Sequence, residues 1–156
     1  MTTTDNTTTD PTTFNVFEAL GMVVAIAMES HYSDWSISEV ERYIVPALKS
    51  GQYKLYVNDH VGPAAFVTWA FLNDECHEAM LAHGRNPPAD HWQSGRHLWV
   101  MDIVAPYGDA KRVVRDLQRN LFPQMHGHSI RRDPSGNIIR VARWRNALAG
   151  DRAGFC

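Results

Sequence analysis

The sequence predicts an α/β chain of the α+β kind, with a mixed, mainly antiparallel sheet flanked by helices. Three observations lead there. Apolar residues recur at helical spacing over residues 14–29 and 110–121. Two pairs of β-branched and aromatic runs, QYKLYV with AAFVTWAFL and HSIRR with NIIRVARW, are joined by the turn formers Asn58-Asp59-His60 and Asp133-Pro134-Ser135-Gly136. Between the pairs lies LWVMDIV, a nearly continuous apolar run bounded by glycines.

Each element follows in order. Phe14, Val16, Phe17, Leu20, Val23, Val24, Ala27 and Met28 mark one amphipathic helix, which Gly21 weakens slightly. After HYSDW, Ser36 with Glu39 offers a capping box for a second helix; Val40, Tyr43, Ile44 and Leu48 share its face, Pro46 kinks its last turn and Gly51 suits its C-terminal cap. The first hairpin comes next, and Asn73 then caps a short helix running to about Ala82. HGRNPPADHWQSG, residues 83–95, reads as a loop because of its glycines and paired prolines. The LWVMDIV strand ends at Gly108, a third long helix runs Ala110–Leu121 with Val113, Val114, Leu117 and Leu121 inward, and the second hairpin closes the order α-α-β-β-α-β-α-β-β.

With 156 residues, residues 14–156 read as a single domain with a core that needs no disulfide or metal staple. The opening MTTTDNTTTDPTT lacks the basic head and apolar middle of a signal peptide, and its polar composition predicts a disordered tail over residues 1–13. Cys76 and Cys156 form no framework and no apolar run reaches the length of a membrane span, so a cytoplasmic setting is expected. A net charge of −2 argues against nucleic acid as a partner. Its distribution is uneven: through Gly95 there are 4 Lys and Arg against 12 Asp and Glu, and from Arg96 onward 11 against 5. Either the surface is simply polarised, or the second half presents a basic face to an acidic partner.

Asp102 stands out inside the LWVMDIV run. Removing a carboxylate from water costs on the order of several kcal/mol unless a partner compensates it. A plain structural role would pair it with an arginine such as Arg96 or set it against backbone amides.

Four pieces in this order, HYSDW with IVPALKSGQYKLY, GPAAFVTWAFL, HWQSGRHLWVMDIVAPYGD and IRVARW, resemble the RTX toxin-activating lysine acyltransferases, over about Phe14 to Asn146. The most specific stretch is W-x-S-G-x-x-x-W-x-x-D-x-x-A-P-[YF]-G, here Trp92 to Gly108. The resemblance implies a GNAT-like acyltransferase fold, a cytoplasmic homodimer, and transfer of a fatty acyl group from acyl carrier protein to internal lysines of an RTX-type protoxin. It also implies a catalytic histidine near the first helix and a catalytic aspartate on the central strand, roles that fall on His31 and Asp102, with Ser30 matching a serine shortly before the histidine. The match departs from the family at one point. The usual order is serine, proline, any residue, histidine, with tryptophan three positions later; here Ser30 and His31 are adjacent, and three positions before Trp35 stands Tyr32. Either the turn is one residue shorter and His31 still reaches the site, or catalysis is altered or lost. The first is expected, since a loop between helices absorbs a deletion and no other histidine lies in that segment.

The chemistry gives such a pair a reason. Deprotonating a lysine of pKa near 10.4 at pH 7 costs about 4.6 kcal/mol of the barrier to attack on a thioester. An imidazole accepts that proton near neutral pH, and a buried carboxylate on its other nitrogen holds the ring and steadies the imidazolium. The alternative is that the imidazole attacks the thioester itself, and the residues do not separate the two routes.

On the donor side, Ala105 to Ala110 occupies the place of the GNAT phosphate-binding turn and keeps Gly108 and Ala110 without the leading Arg or Gln. An ordinary strand-to-helix turn capped by Asp109 is the plainer alternative. Lys111, Arg112, Arg115 and Arg119 fall largely on one side of the third helix, a natural docking stripe for an acidic carrier protein. No metal is expected, because His77 and His83 are six apart and neither H-E-x-x-H nor a Cys/His cluster occurs. No bound cofactor is expected beyond the acyl donor. The competing functions are a GNAT enzyme using acyl-coenzyme A on another amine, and an inactive homologue that only binds its partner.

Overall fold

The computed structural model describes residues 15–133, 135–146 and 148; the segment 1–13, read as a disordered tail, lies outside the described residues. The elements run α1 (Val16–Ala27), a 3-10 turn (His31–Asp34), α2 (Ile37–Tyr43), α3 (Val45–Ser50), β1 (Tyr53–Asn58), β2 (Gly62–Leu72), α4 (Asp74–His83), a 3-10 turn (Ala89–His91), β3 (His97–Val104), α5 (Ala110–Asp116), β4 (Gly127–Arg132) and β5 (Ile138–Trp144). This is the expected α+β order, with two helices modified.

The Ser36/Glu39 capping box forms as its spacing predicts, and Gly51 closes α3 with a φ of 74° that a side chain would resist. Between them the single kinked helix of the sequence reading is two helices. Pro46 has no N–H for a carbonyl one turn back, so the ladder breaks at Ile44 and restarts with Pro46 in the first turn of α3. The third long helix is α-helical only to Asp116 and widens into a π turn over Leu117–Leu121.

The helix α1 also turns differently from its expected face. Ala19, Val23 and Ile26 are buried against the sheet, whereas Phe17, Val24 and Met28 are exposed. A helix apolar on most sides fits more than one stripe, and contact with the sheet selects among them.

Among the described residues, five strands form one sheet in the order β1-β2-β3-β4-β5. Neighbours are antiparallel except β3 and β4, which are parallel and joined by the crossover through α5. Leu98 and Val100 of β3 meet Val67 and Trp69 of β2 and Val113 and Leu117 beneath α5. On the opposite face Phe66 and Val104 pack with Ala19, Val23 and Ile26 of α1.

A bulge in β3 connects these two faces. Thr68 pairs with Asp102 and Trp69 with Val100, leaving Met101 without a partner across the ladder. Simple alternation would put Asp102 on the same face as Leu98 and Val100. The extra residue reverses the alternation, so Asp102 points to the α1 side, and bulges re-aim side chains in this way.

Candidate active site

The first two residues of the site come from opposed strands. Thr68 and Asp102 are direct cross-strand partners, and the Thr68 hydroxyl donates to Asp102 Oδ2 at 2.9 Å. The third comes from the turn after α1. Ser30 caps that turn, its Oγ accepting from the Tyr32 amide at 3.0 Å and donating to the Ala27 carbonyl at 2.9 Å. The capped turn carries Tyr32 over the sheet, where its hydroxyl donates to Asp102 Oδ1 at 2.5 Å. Stacking on Trp35, with ring centroids 4.3 Å apart, and an edge contact with Phe66 hold the phenol in place.

Asp102 is therefore met by two hydroxyls, and neither the expected imidazole nor Arg96 is bonded to it. His31 is exposed, its ring edge-on to Tyr32 at 4.6 Å, and among the described residues no hydrogen bond joins it to Asp102. It remains near enough for its charge to favour the ionised carboxylate. Burial is the larger influence: it pushes Asp102 above the ordinary carboxylate range, against the pull of Tyr32, Thr68 and His31. Burial, and after it the neighbouring Asp102, likewise holds the Tyr32 phenol well above its usual value, so at neutral pH the phenol keeps its proton and donates.

His31, Tyr32, Met101 and Asp102 line one open cleft of about 1750 Å³, walled also by α2, α3, the Gly84–Gln93 segment and the β4 residues Ile130 and Arg132. The cleft brings the two expected catalytic positions together. Ser30 is committed to the backbone, and its role in the geometry is to set the turn that delivers Tyr32. Thr68 and Tyr32 are the residues the sequence reading passed over. Signals for both existed: Thr68 is the one hydroxyl within AAFVTWAFL, and Tyr32 is where counting back three from Trp35 lands.

The donor-side residues lie elsewhere. Gly108 takes a φ of 94° in the turn before α5, and Asp109 at the helix start makes no side-chain cap, meeting Arg112 at 3.4 Å instead. Neither Gly108 and Ala110 nor Arg112 and Arg115 line the cleft around Asp102. Lys111, Arg112, Arg115 and Arg119 are all exposed, while Val113 and Leu117 turn inward as their spacing predicts.

Comparison with known proteins gives this geometry a family. Residues 12–145 match the model of the RTX toxin acyltransferase family. The chain belongs to that family. It is 33% identical over 131 residues to the RTX-I toxin-activating lysine-acyltransferase ApxIC of Actinobacillus pleuropneumoniae, covering 83% of this chain and 75% of that one. It is 26% identical over 127 residues to the lysine-acyltransferase RtxC of Vibrio cholerae, covering 79% and 83%. It is 31% identical over 134 residues to the uncharacterized protein sll0720 of Synechocystis, covering 83% and 90%.

Within this acyltransferase family's Trp92–Gly108 block, several residues are explained by packing. The Ser94 hydroxyl accepts from the Asn73 amide at 3.0 Å and donates to the His91 carbonyl at 2.7 Å, fastening the loop to the end of β2. A Cβ on Gly95 would lie 2.5 Å from the Leu72 carbonyl oxygen, so that backbone approach excludes any side chain. Asp102 is the member of the block whose surroundings call for chemistry rather than packing.

Proposed function

We propose that this protein transfers a fatty acyl group from acyl carrier protein to internal lysines of an RTX-type protoxin, in the cytoplasm and as a homodimer. The observation that carries the reading is a buried carboxylate on the wall of an open cleft, met by two hydroxyls and, among the described residues, bonded to no cation, in a chain of the RTX toxin acyltransferase family. The acceptor lysine must shed a proton before or as its nitrogen attacks the thioester, a task worth about 4.6 kcal/mol at pH 7. A carboxylate whose affinity for a proton is raised by burial is suited to receive it. The tetrahedral intermediate then collapses to the amide and the carrier's thiol leaves.

The exposed cations of α5 support an acidic carrier as donor, by steering it onto that helix. Gly108 and Ala110, at the start of α5, are the positions for the arm's phosphate by resemblance. No helix of the described residues is long and apolar enough to cross a membrane.

The test is incubation with myristoyl acyl carrier protein and a recombinant RTX protoxin, followed by mass spectrometry of the protoxin lysines. Amide-linked acyl groups are expected, and transfer should weaken at high salt and with Arg112→Glu/Arg115→Glu. Absence of any acylated lysine would reject the reading; salt-independent transfer would reject the docking. A binding-only homologue is the second reading, favoured by the missing hydrogen bond between His31 and Asp102, and it predicts a stable complex with the protoxin and no transfer.

A further inference from the structure

Given acyl transfer as the reaction, we propose that Tyr32 is a catalytic residue: its hydroxyl relays the acceptor amine's proton to Asp102, in the role that the family resemblance gives to a histidine. Three features of the geometry carry this. Each Asp102 oxygen accepts from a hydroxyl, Oδ1 from Tyr32 and Oδ2 from Thr68, and the carboxylate, although it borders the cleft, is only 8% exposed. Thr68 is fully buried in β2, which leaves Tyr32 as the hydroxyl on the cleft wall. A phenol that donates its one proton still has lone pairs with which to accept another.

The ring is also positioned for the task. Its stack on Trp35 and the Ser30 cap beneath its amide fix the oxygen above Asp102, as a relay requires. Among the described residues His31 has no such fastening to the carboxylate; its ring stands edge-on to Tyr32.

The step balances as follows. The amine nitrogen bonds to the thioester carbon, the ammonium-like N–H passes its proton to the Tyr32 oxygen, and the Tyr32 proton passes to Asp102 Oδ1. Collapse breaks the carbon–sulfur bond, and the proton returns through Tyr32 to the departing thiolate. Tyrosine and carboxylate end as they began, and no further reactant is needed.

The test compares Tyr32→Phe, Tyr32→His and His31→Ala with the wild-type protein, using myristoyl acyl carrier protein and the RTX protoxin and following the carrier's free thiol. Removing one hydroxyl while keeping the ring should lower kcat about 10²-fold or more with KM changed little. Tyr32→His should recover at least about tenfold over Tyr32→Phe and show an acid limb near the ordinary imidazole value of about 6.5 that Tyr32→Phe lacks. Circular dichroism should show both substitutions folded, as a merely structural hydroxyl would also allow, but a structural hydroxyl would not move the pH profile. Transfer by Tyr32→Phe within threefold of wild type, or a larger loss in His31→Ala than in Tyr32→Phe, would overturn the relay while leaving acyl transfer standing. No transfer by the wild-type protein would overturn both.

Discussion

Two tyrosine–aspartate pairs in this molecule have the same contact and opposite surroundings. Tyr32 donates to Asp102 at 2.5 Å, and Tyr56 donates to Asp116 at 2.5 Å. Asp116 also receives Lys54 at 2.7 Å and Asn120 at 2.7 Å, and these partners outweigh its burial and hold it below the ordinary carboxylate range. Asp102 has no cation bonded to it among the described residues, is only 8% exposed, and is held above that range by burial. A carboxylate with an ammonium partner is a fastening between β1 and α5, with little affinity left for a proton. One that meets only hydroxyls, beside a cleft, retains that affinity. The environment of the pair, rather than the pair itself, decides which is chemical.

The largest expected effect separates them by activity. Asp102→Asn keeps the shape of the side chain and an acceptor oxygen but removes the proton acceptor, so acyl transfer should fall about 10²- to 10³-fold. Asp116→Asn should leave transfer within a factor of about two, because that position touches neither the cleft nor the relay. Equal losses from the two substitutions would break the distinction.

Stability should show the reverse order. Asp116→Asn loses the Lys54 ion pair and weakens the Tyr56 bond in a partly buried setting, for about 1–2 kcal/mol by denaturant unfolding. Tyr56→Phe removes one hydrogen bond to an ionised acceptor that keeps two other partners, for about 1 kcal/mol.

The smallest effect is the sharpest in sign. The Asp102 pKa is raised in the folded state, so its contribution to stability is full below the unfolded value of about 3.9 and fades as pH rises through the raised one. The Asp116 pKa is lowered, so its contribution is present above about 3.9 and is lost as pH falls through the lowered value. Unfolding curves across pH 3–7 should therefore show the wild type losing ground to Asp102→Asn on going from acid to neutral, and gaining on Asp116→Asn. The same slope for both would show that the two carboxylates share one environment.

Much of this was legible beforehand because it is local. The Ser36/Glu39 box, the Gly51 cap, the Asn73 cap and both hairpins depend on residues within a few positions of one another, and each forms as its spacing predicts. Asp102 announced itself for a similar reason, as a charge in an apolar run whose desolvation needs an answer. The family resemblance puts His31 in that place, and imidazole suits the chemistry. Sequence position alone does not say which of two neighbours in a turn faces the sheet.

The chain by itself determined the order of the elements, the antiparallel hairpins, the basic face of α5 and the presence of a buried carboxylate, since propensity, capping and periodicity act over a few residues. Only the tertiary structure decided what that carboxylate touches. An unpaired Met101 reverses the alternation of β3, and a 3-10 turn places successive side chains about a third of a revolution apart, so that Tyr32 meets Asp102 while His31 stands outside. The first depends on pairing with β2, whose Thr68 stands 34 residues from Asp102, and the second on a contact 70 residues apart along the chain, which no local pattern records.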